Sequence, residues 1–215
     1  MGIDRQDLGK LENLIKNDQI QHSGDVVLNQ GDTFDKIYAV KSGMYKSVKV
    51  DAEGHEHITS FHLPGELIGL DAIYPQAYGH TTIALTTSAL CQFNYSQLTD
   101  LAAEIPALQR QLLRLLSKDI NSANVFITEQ TAEQKLTGFV HNLLKRYEAR
   151  GYSGNEMILQ MSRQDIANHL GMAAETISRL LKRLQSNGVL AISKREMKVL
   201  DQDELLKLAG CRAAA

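Results

Sequence analysis

Cysteine is scarce in this 215-residue chain: Cys91 and Cys211 are the only two. They are too few and too far apart for a disulfide framework, and no C-x-x-C pair offers zinc or dithiol chemistry. No apolar run approaches the ~18 residues needed to cross a bilayer, and the opening MGIDRQDLGK has no apolar signal region. Together these absences predict a cytoplasmic protein. A glycine-rich phosphate loop, a nucleophile elbow and a carboxylate pair are missing too, so no enzyme activity is expected. There is no overall excess of positive charge either, the formal net charge being -2. That average hides a split, because residues 1–130 hold 10 Lys and Arg against 16 Asp and Glu, whereas residues 131–215 hold 13 against 9. Only the C-terminal part is suited to meeting phosphate. What remains is ordinary globular material, 43% hydrophobic and 22% charged, enough for one or two domains with proper cores.

The most informative stretch is SRQDIANHLGMAAETISRLLKRLQSNG, residues 162–188. Ile166, Ala167 and Leu170 mark the apolar face of one short helix, and Ile177, Leu180, Leu181 and Leu184 that of a second. Ser162 is a fitting N-cap with Asp165 three residues on, and Gly188 stands where a helix end needs a residue tolerant of positive φ. Small Ala167 permits close approach, Gly171 permits the turn, and Ile177 locks the second helix onto the first. The pattern predicts a helix-turn-helix. Its second helix presents Glu175, Ser178 and Arg179 on one face, with Lys182 and Arg183 behind. Arginine can donate twice to guanine and a carboxylate can accept from cytosine N4, both in a major groove wide enough for a helix. The alternative, a solvated charged face on an ordinary helical hairpin, leaves the Ala, Gly and Ile spacing unexplained.

Before this unit lie short β-rich segments bounded by Gly, Asp, Asn or Pro: DVVLNQGD, KIYAVKSGMYKSVKV, EHITSFHLPGELIG and TTIALTTSALCQF. They predict an antiparallel β-roll of double-stranded jelly-roll, cupin-like type over residues 1–104, preceded by a short helix near residues 5–16. From about residue 105 the period changes, and Leu113, Leu116, Ile120, Ala123 and Ile127 fall at alternating spacings of three and four. A second edge, Leu108, Leu112 and Leu115, can pack on the roll. The first edge is then available for the same helix of another copy, predicting a long dimerisation helix over residues 105–130; burial of both edges within one chain is the alternative. Another helix is expected near residues 131–149. After the helix-turn-helix, VLAIS and MKVLD flank Lys194, Arg195 and Glu196 like a two-stranded wing whose basic tip can touch phosphate. The third unit, residues 131–215, is thus a winged helix-turn-helix, and the fold class is α+β.

In this order of parts and in the words GDTFDKIYAVKSGMYK, ITSFHLPGELIGLDAI and ETISRLLKRLQSNGVL, the chain resembles the CRP/FNR family of bacterial transcription factors along nearly all its length. The last word lies nearest the FNR branch, whose Glu-x-x-Ser-Arg face reads TTGAT-type half-sites. The resemblance implies a homodimeric activator or repressor that binds double-stranded DNA and works with RNA polymerase. It makes Glu175, Ser178 and Arg179 the base readers, and Ala174 and Ser178, where the CRP branch has Arg and Gly, disfavour a CRP-type site. The effector is a different matter. Cyclic-AMP-binding relatives carry a ribose-binding Glu and a phosphate-binding Arg-Ser pair where this chain has Leu70 after Gly69, and Thr81 and Thr82. A phosphate buried without its Arg would be left unpaired, so cyclic AMP is not expected. Of the four cysteines that hold the FNR [4Fe-4S] cluster only Cys91 is matched, the N-terminal cysteine segment being absent from this sequence, so no cluster is expected.

One competing class remains, a ligand- or metal-binding roll without a regulatory role. His55 and His57 share a strand face, with His62 beyond, in the manner of cupin metal ligands. Those sites need a Glu four or five residues after the second His, where Phe61 and His62 stand, so these histidines read as solvated strand-end residues and no metal site is expected.

Overall fold

The computed structural model describes residues 4–124 and 130–210. Helix α1 (Arg5–Leu14) begins at Asp4, whose carboxylate accepts from the Asp7 N–H. It is followed by β1 (Lys16–Gln21), β2 (Val26–Leu28), β3 (Lys36–Ser42), β4 (Tyr45–Val50), β5 (Glu56–His62), β6 (Leu67–Ile68), β7 (Thr81–Ala84) and β8 (Ser88–Asn94), with a 3-10 turn at Leu70–Ala72 between β6 and β7. These strands form two four-stranded sheets, in the orders β1-β8-β3-β6 and β2-β7-β4-β5. Every pairing in them is antiparallel. Between them lie Leu28, Ile37, Tyr45, Ile68 and Leu90, so the roll has the core that its β-rich segments predict.

KIYAVKSGMYKSVKV is two strands, β3 and β4, folded back at Gly43. There φ is +79°, and an added Cβ would come within 2.0 Å of Ser88 Oγ, so only glycine makes this close turn. The opening helix ends at Leu14, sooner than expected, and β1 begins almost at once. After β8, Asn94 caps α2 (Tyr95–Glu104), a helix not anticipated from the sequence.

Helix α3 (Pro106–Asn124) follows, then α4 (Ala132–Glu148), whose Thr131 and Gln134 form a reciprocal capping box. The C-terminal unit continues with β9 (Glu156–Ile158), α5 (Arg163–Leu170), α6 (Ala174–Ser186), β10 (Leu190–Ser193), β11 (Glu196–Val199) and α7 (Gln202–Leu208). The wing has three strands rather than two, in the order β10-β11-β9, because residues 156–158 pair with β11.

The C-terminal unit packs on the roll through a shared core. Met44, Val48, Ile58, Phe61 and Leu63 of the roll join Leu136, Val140, Leu143, Ile166 and Ile177 in one buried cluster. Polar contacts flank it. Glu66 lies between a guanidinium of α4 and one just beyond its end: Arg146 donates from Nε at 2.9 Å and from Nη2 at 2.6 Å, and Arg150 from Nη2 at 2.7 Å. The Leu63 N–H supplies a further donor at 3.0 Å. Burial opposes the charge on Glu66, but Arg146 and these other donors hold the carboxyl down at about 2.

Two imidazoles share this seam. His169 faces the Ile58 carbonyl through Nδ1 at 2.9 Å and stacks edge-on to Phe61, and His62 Nε2 meets Ser47 Oγ at 2.8 Å. Burial pushes His62 down to about 4 and lowers His169 as well. A histidine depressed in the fold binds fewer protons than in the unfolded chain, so its stabilising effect is present above about pH 6.5 and is lost as pH falls toward 4. Urea unfolding of the wild type should therefore show stability falling from pH 6.5 to 4. His62→Gln should flatten that slope, and an unchanged slope would remove His62 from the account.

Candidate nucleic-acid interface

The helix pair α5–α6 is built from short-range instructions. Ser162 Oγ accepts from the Asp165 N–H at 3.0 Å, and the Asp165 carboxylate accepts from the Ser162 N–H at 3.0 Å, so α5 starts with a complete capping box. It ends at Gly171, left-handed at φ 64° and ψ 42°, which turns the chain toward α6. Ala167 and Ile177 are both fully buried between the helices. Here α6 buries Ile177, Leu180, Leu181 and Leu184 and turns its other face outward.

On that outward face Glu175, Arg179 and Lys182 are exposed and Ser178 is half-buried. Among the described residues no hydrogen bond or ion pair engages the side chain of Glu175 or Arg179, so both are available to a partner. No side chain caps the first turn of α6, whose Thr176 N–H donates instead to the Ala173 carbonyl at 3.0 Å. Arg183, one turn behind, lies on the flank of α6 and is ion-paired with Glu133 of α4. Arg163, overlooked in the sequence because it belongs to the first helix, donates to Ser178 Oγ at 3.5 Å and adds a cation to this face. Only the packing angle of α5 on α6 brings it there.

The wing tip is the two-residue turn Lys194-Arg195 between paired Ser193 and Glu196. Lys194 holds a left-handed φ of 55°, which a two-residue hairpin demands and a lysine resists. Both side chains are exposed. The Arg195 carbonyl accepts from the Leu159 N–H at 2.8 Å, so the tip is tied to the end of β9.

The residues assigned to a dimer seam divide. Leu113 and Ile120 of α3 are 59% and 65% exposed. Leu108, Leu112 and Leu115 pack on the roll core as expected, and Leu116, assigned to the outward edge, leans partly on that core too. Ala123 lies on α3, but its side chain is outside the described residues, as is Ile127 altogether.

The effector positions do not fit a cyclic nucleotide. Leu70 is buried in the roll core, Thr82 is buried and paired with Ser47 Oγ at 3.3 Å, and Thr81 Oγ1 accepts from the Gln30 N–H at 3.0 Å. None brings a cation. Cys91, the position that matched a cluster ligand, lies half-buried on β8.

Residues 21–104 match the cyclic nucleotide-binding domain family and residues 134–208 the Crp-like helix-turn-helix domain family. The chain is 40% identical over 211 residues to the anaerobic regulatory protein of Haemophilus influenzae, which covers 97% of this chain and 82% of that protein. It is 36% identical over 211 residues to the fumarate and nitrate reduction regulatory protein of Escherichia coli, covering 97% and 84% respectively. Among solved structures it is similar to FixK2 from Bradyrhizobium japonicum, with a TM-score of 0.79, 24% identity, and coverage of 93% of this chain and 98% of that one.

The fit of α5 on α6 makes one residue critical. Ala167 has no free space around it, and Ala167→Leu should overpack the junction at a cost of about 1–3 kcal/mol. The urea midpoint measures this, and a variant as stable as the wild type would show that the helices do not need the small residue.

Proposed function

The chain belongs to the CRP/FNR family of transcription regulators, and we propose that it acts as a homodimer reading a TTGAT-type palindrome through α6. The observation that carries this reading is the exposed, unengaged pair Glu175 and Arg179, one turn apart with Ser178 between them on the same face. Four residues of separation is one helical step, so the carboxylate and the guanidinium can reach adjacent base pairs together. Lys194 and Arg195 on the wing, with Lys182 and Arg163, are the phosphate contacts that set general affinity. Arg183 joins them when its pairing with Glu133 yields to phosphate.

The division into a sensory roll over residues 1–104, a dimerisation helix over 105–130 and a DNA-binding unit over 131–215 goes with this reading. Exposed Leu113 and Ile120 support a two-fold pairing of α3, with Leu116, Ala123 and Ile127 completing the seam. A dimer presents two α6 helices to successive major-groove faces, which is what a palindrome requires. Such a protein works where the DNA is, in the cytoplasm, and RNA polymerase is its natural further partner.

Titration into a TTGAT-N4-ATCAA duplex and a scrambled duplex tests the reading. Arg179→Ala should weaken the specific duplex by about 1–3 kcal/mol, roughly 5- to 150-fold, and leave the scrambled one nearly unchanged. Lys194→Ala should weaken both. Equal losses on both duplexes for Arg179→Ala would take base reading away from α6.

The seam has its own test. Ile120→Glu places two carboxylates near the two-fold axis and should yield monomers by light scattering, with DNA affinity falling in step. A variant that stayed dimeric would remove Ile120 from the axis.

A further inference from the structure

The hairpin between β4 and β5 carries four metal-binding side chains, Asp51, Glu53, His55 and His57, on seven residues of chain. Ligand atoms of Asp51, Glu53 and His55 all lie within 4.8 Å of one another. Asp51 Oδ2 is 3.3 Å from His55 Nδ1 and 3.0 Å from His57 Nε2. We propose that this hairpin tip binds one divalent transition-metal ion of the zinc class, through the carboxylates of Asp51 and Glu53 and the imidazole of His55, with His57, which already touches the same Asp51 oxygen, turning in as the fourth ligand. None of its four residues belongs to the proposed DNA-reading face or to the effector positions of the roll.

The spacing fits the ion. Bonds of about 2.0–2.1 Å in a tetrahedron put neighbouring ligand atoms about 3.3 Å apart, close to the 3.3 and 3.0 Å that separate Asp51 Oδ2 from His55 and His57, while Glu53 lies within 4.8 Å of Asp51 and His55. An ion would take the place of the hydrogen bonds that the imidazoles now make to Asp51, with side-chain rotation bringing His57 onto it. Two imidazoles and two carboxylate oxygens make a borderline donor set, suited to zinc, cobalt or nickel rather than to calcium or magnesium.

The backbone also pre-sets the ligands. Asp51 Oδ1 accepts from the Glu53 N–H at 3.0 Å and the His55 N–H at 2.8 Å, which fixes the carboxylate and turns Oδ2 toward the imidazoles. The pairing of Lys49 with His57 and Val50 with Glu56 holds the two arms in register. Gln30 braces the base of the hairpin, accepting from the Val50 N–H at 2.8 Å and donating to the Val50 carbonyl at 3.2 Å. A plain surface Asp–His contact would account for one imidazole; it does not call for a second on the same oxygen with Glu53 beside them.

A sequence search for a cupin-like ligand set misses this arrangement because it looks downstream of His57. The carboxylates come from upstream, across the turn. The site also adjoins the unit that binds DNA: the backbone carbonyl of Glu56, between the two histidines, accepts from Asn168 Nδ2 of α5 at 2.7 Å, and the Ile58 N–H donates to Asn168 Oδ1 at 2.6 Å. An ion at the tip therefore stiffens the strand on which α5 is seated.

Titration of the full chain with Co2+ at neutral pH, followed by the visible absorption of tetrahedral cobalt, tests the proposal directly. One equivalent per chain should bind, and Zn2+ should displace it. The double variant His55→Ala/His57→Ala should lose affinity at least tenfold, and so should Asp51→Asn. His22→Ala and Cys211→Ser should bind as the wild type does. Circular dichroism checks that the variants are folded, and should Asp51→Asn disturb the hairpin the double variant decides. Absence of tetrahedral cobalt in the wild type, or undiminished binding by the double variant, would overturn the proposal.

Discussion

The carboxylate of Glu66 is the point on which the three parts of this chain converge. It belongs to the roll, it takes Arg146 from α4 and Arg150 from just past its end, and Lys118 of α3 stands 3.9 Å from it. Only 14% of its side chain is exposed, so the pair is largely dry. A buried ion pair need not stabilise a fold more than packed apolar groups would, but removing one partner strands the others. The consequence is directional. Loss of Glu66 would leave two guanidiniums near an apolar seam, whereas its presence fixes the angle at which α4 leaves the roll. Everything downstream, including α6, inherits that angle.

The rest of the seam follows from that constraint. With α4 seated, Asn168 pairs with both Glu56 and Ile58 of β5, and Lys46 of β4 reaches Asp165 at 2.7 Å. Asp165 is also half of the α5 capping box, so one carboxylate starts a helix and ties that helix to the roll. The recognition helix takes no part in these contacts; its outward face is left to solvent while its inner face is held through α5. A change in the roll can move the DNA-reading surface without touching it, because α5 is the element that both share.

The DNA-binding unit was legible because its instructions are short-range. Ser162 with Asp165, and Ala167, Gly171 and Ile177, act within one or two helical turns, and the structure uses each as the spacing implies. Strand positions in the roll were legible for a similar reason, since turns such as Gly43 punctuate them. The seam was not. Arg146 and Glu66 are 80 residues apart, and Asn168 and Glu56 are 112 apart, with nothing periodic to connect them. Residues 156–158 were passed over because three residues carry no alternation to detect, and they become a strand only because β11 offers an edge. Arg163 was missed on similar grounds, since its place beside Ser178 is a matter of helix packing.

The same distinction bears on what the roll can sense. A roll of this family shape invites a nucleotide reading, yet shape alone decides little, and chemistry at the site decides more. Leu70 and Thr82 are buried and satisfied within the roll, while Arg146 and Arg150, the cations at its seam, are already committed to Glu66. An anionic effector there would have to win those arginines from a carboxylate held down at about 2, and so would unfasten α4 rather than strengthen its seat. An anionic effector that stabilises the described arrangement must therefore act away from these arginines, for instance through a strand that carries α5. Of such strands β5 is the one whose backbone groups are bonded to α5 side chains on both its donor and acceptor sides, through Asn168 and His169. Control of the DNA-reading face by way of β5 needs no new contact, only a change in how firmly that strand is held.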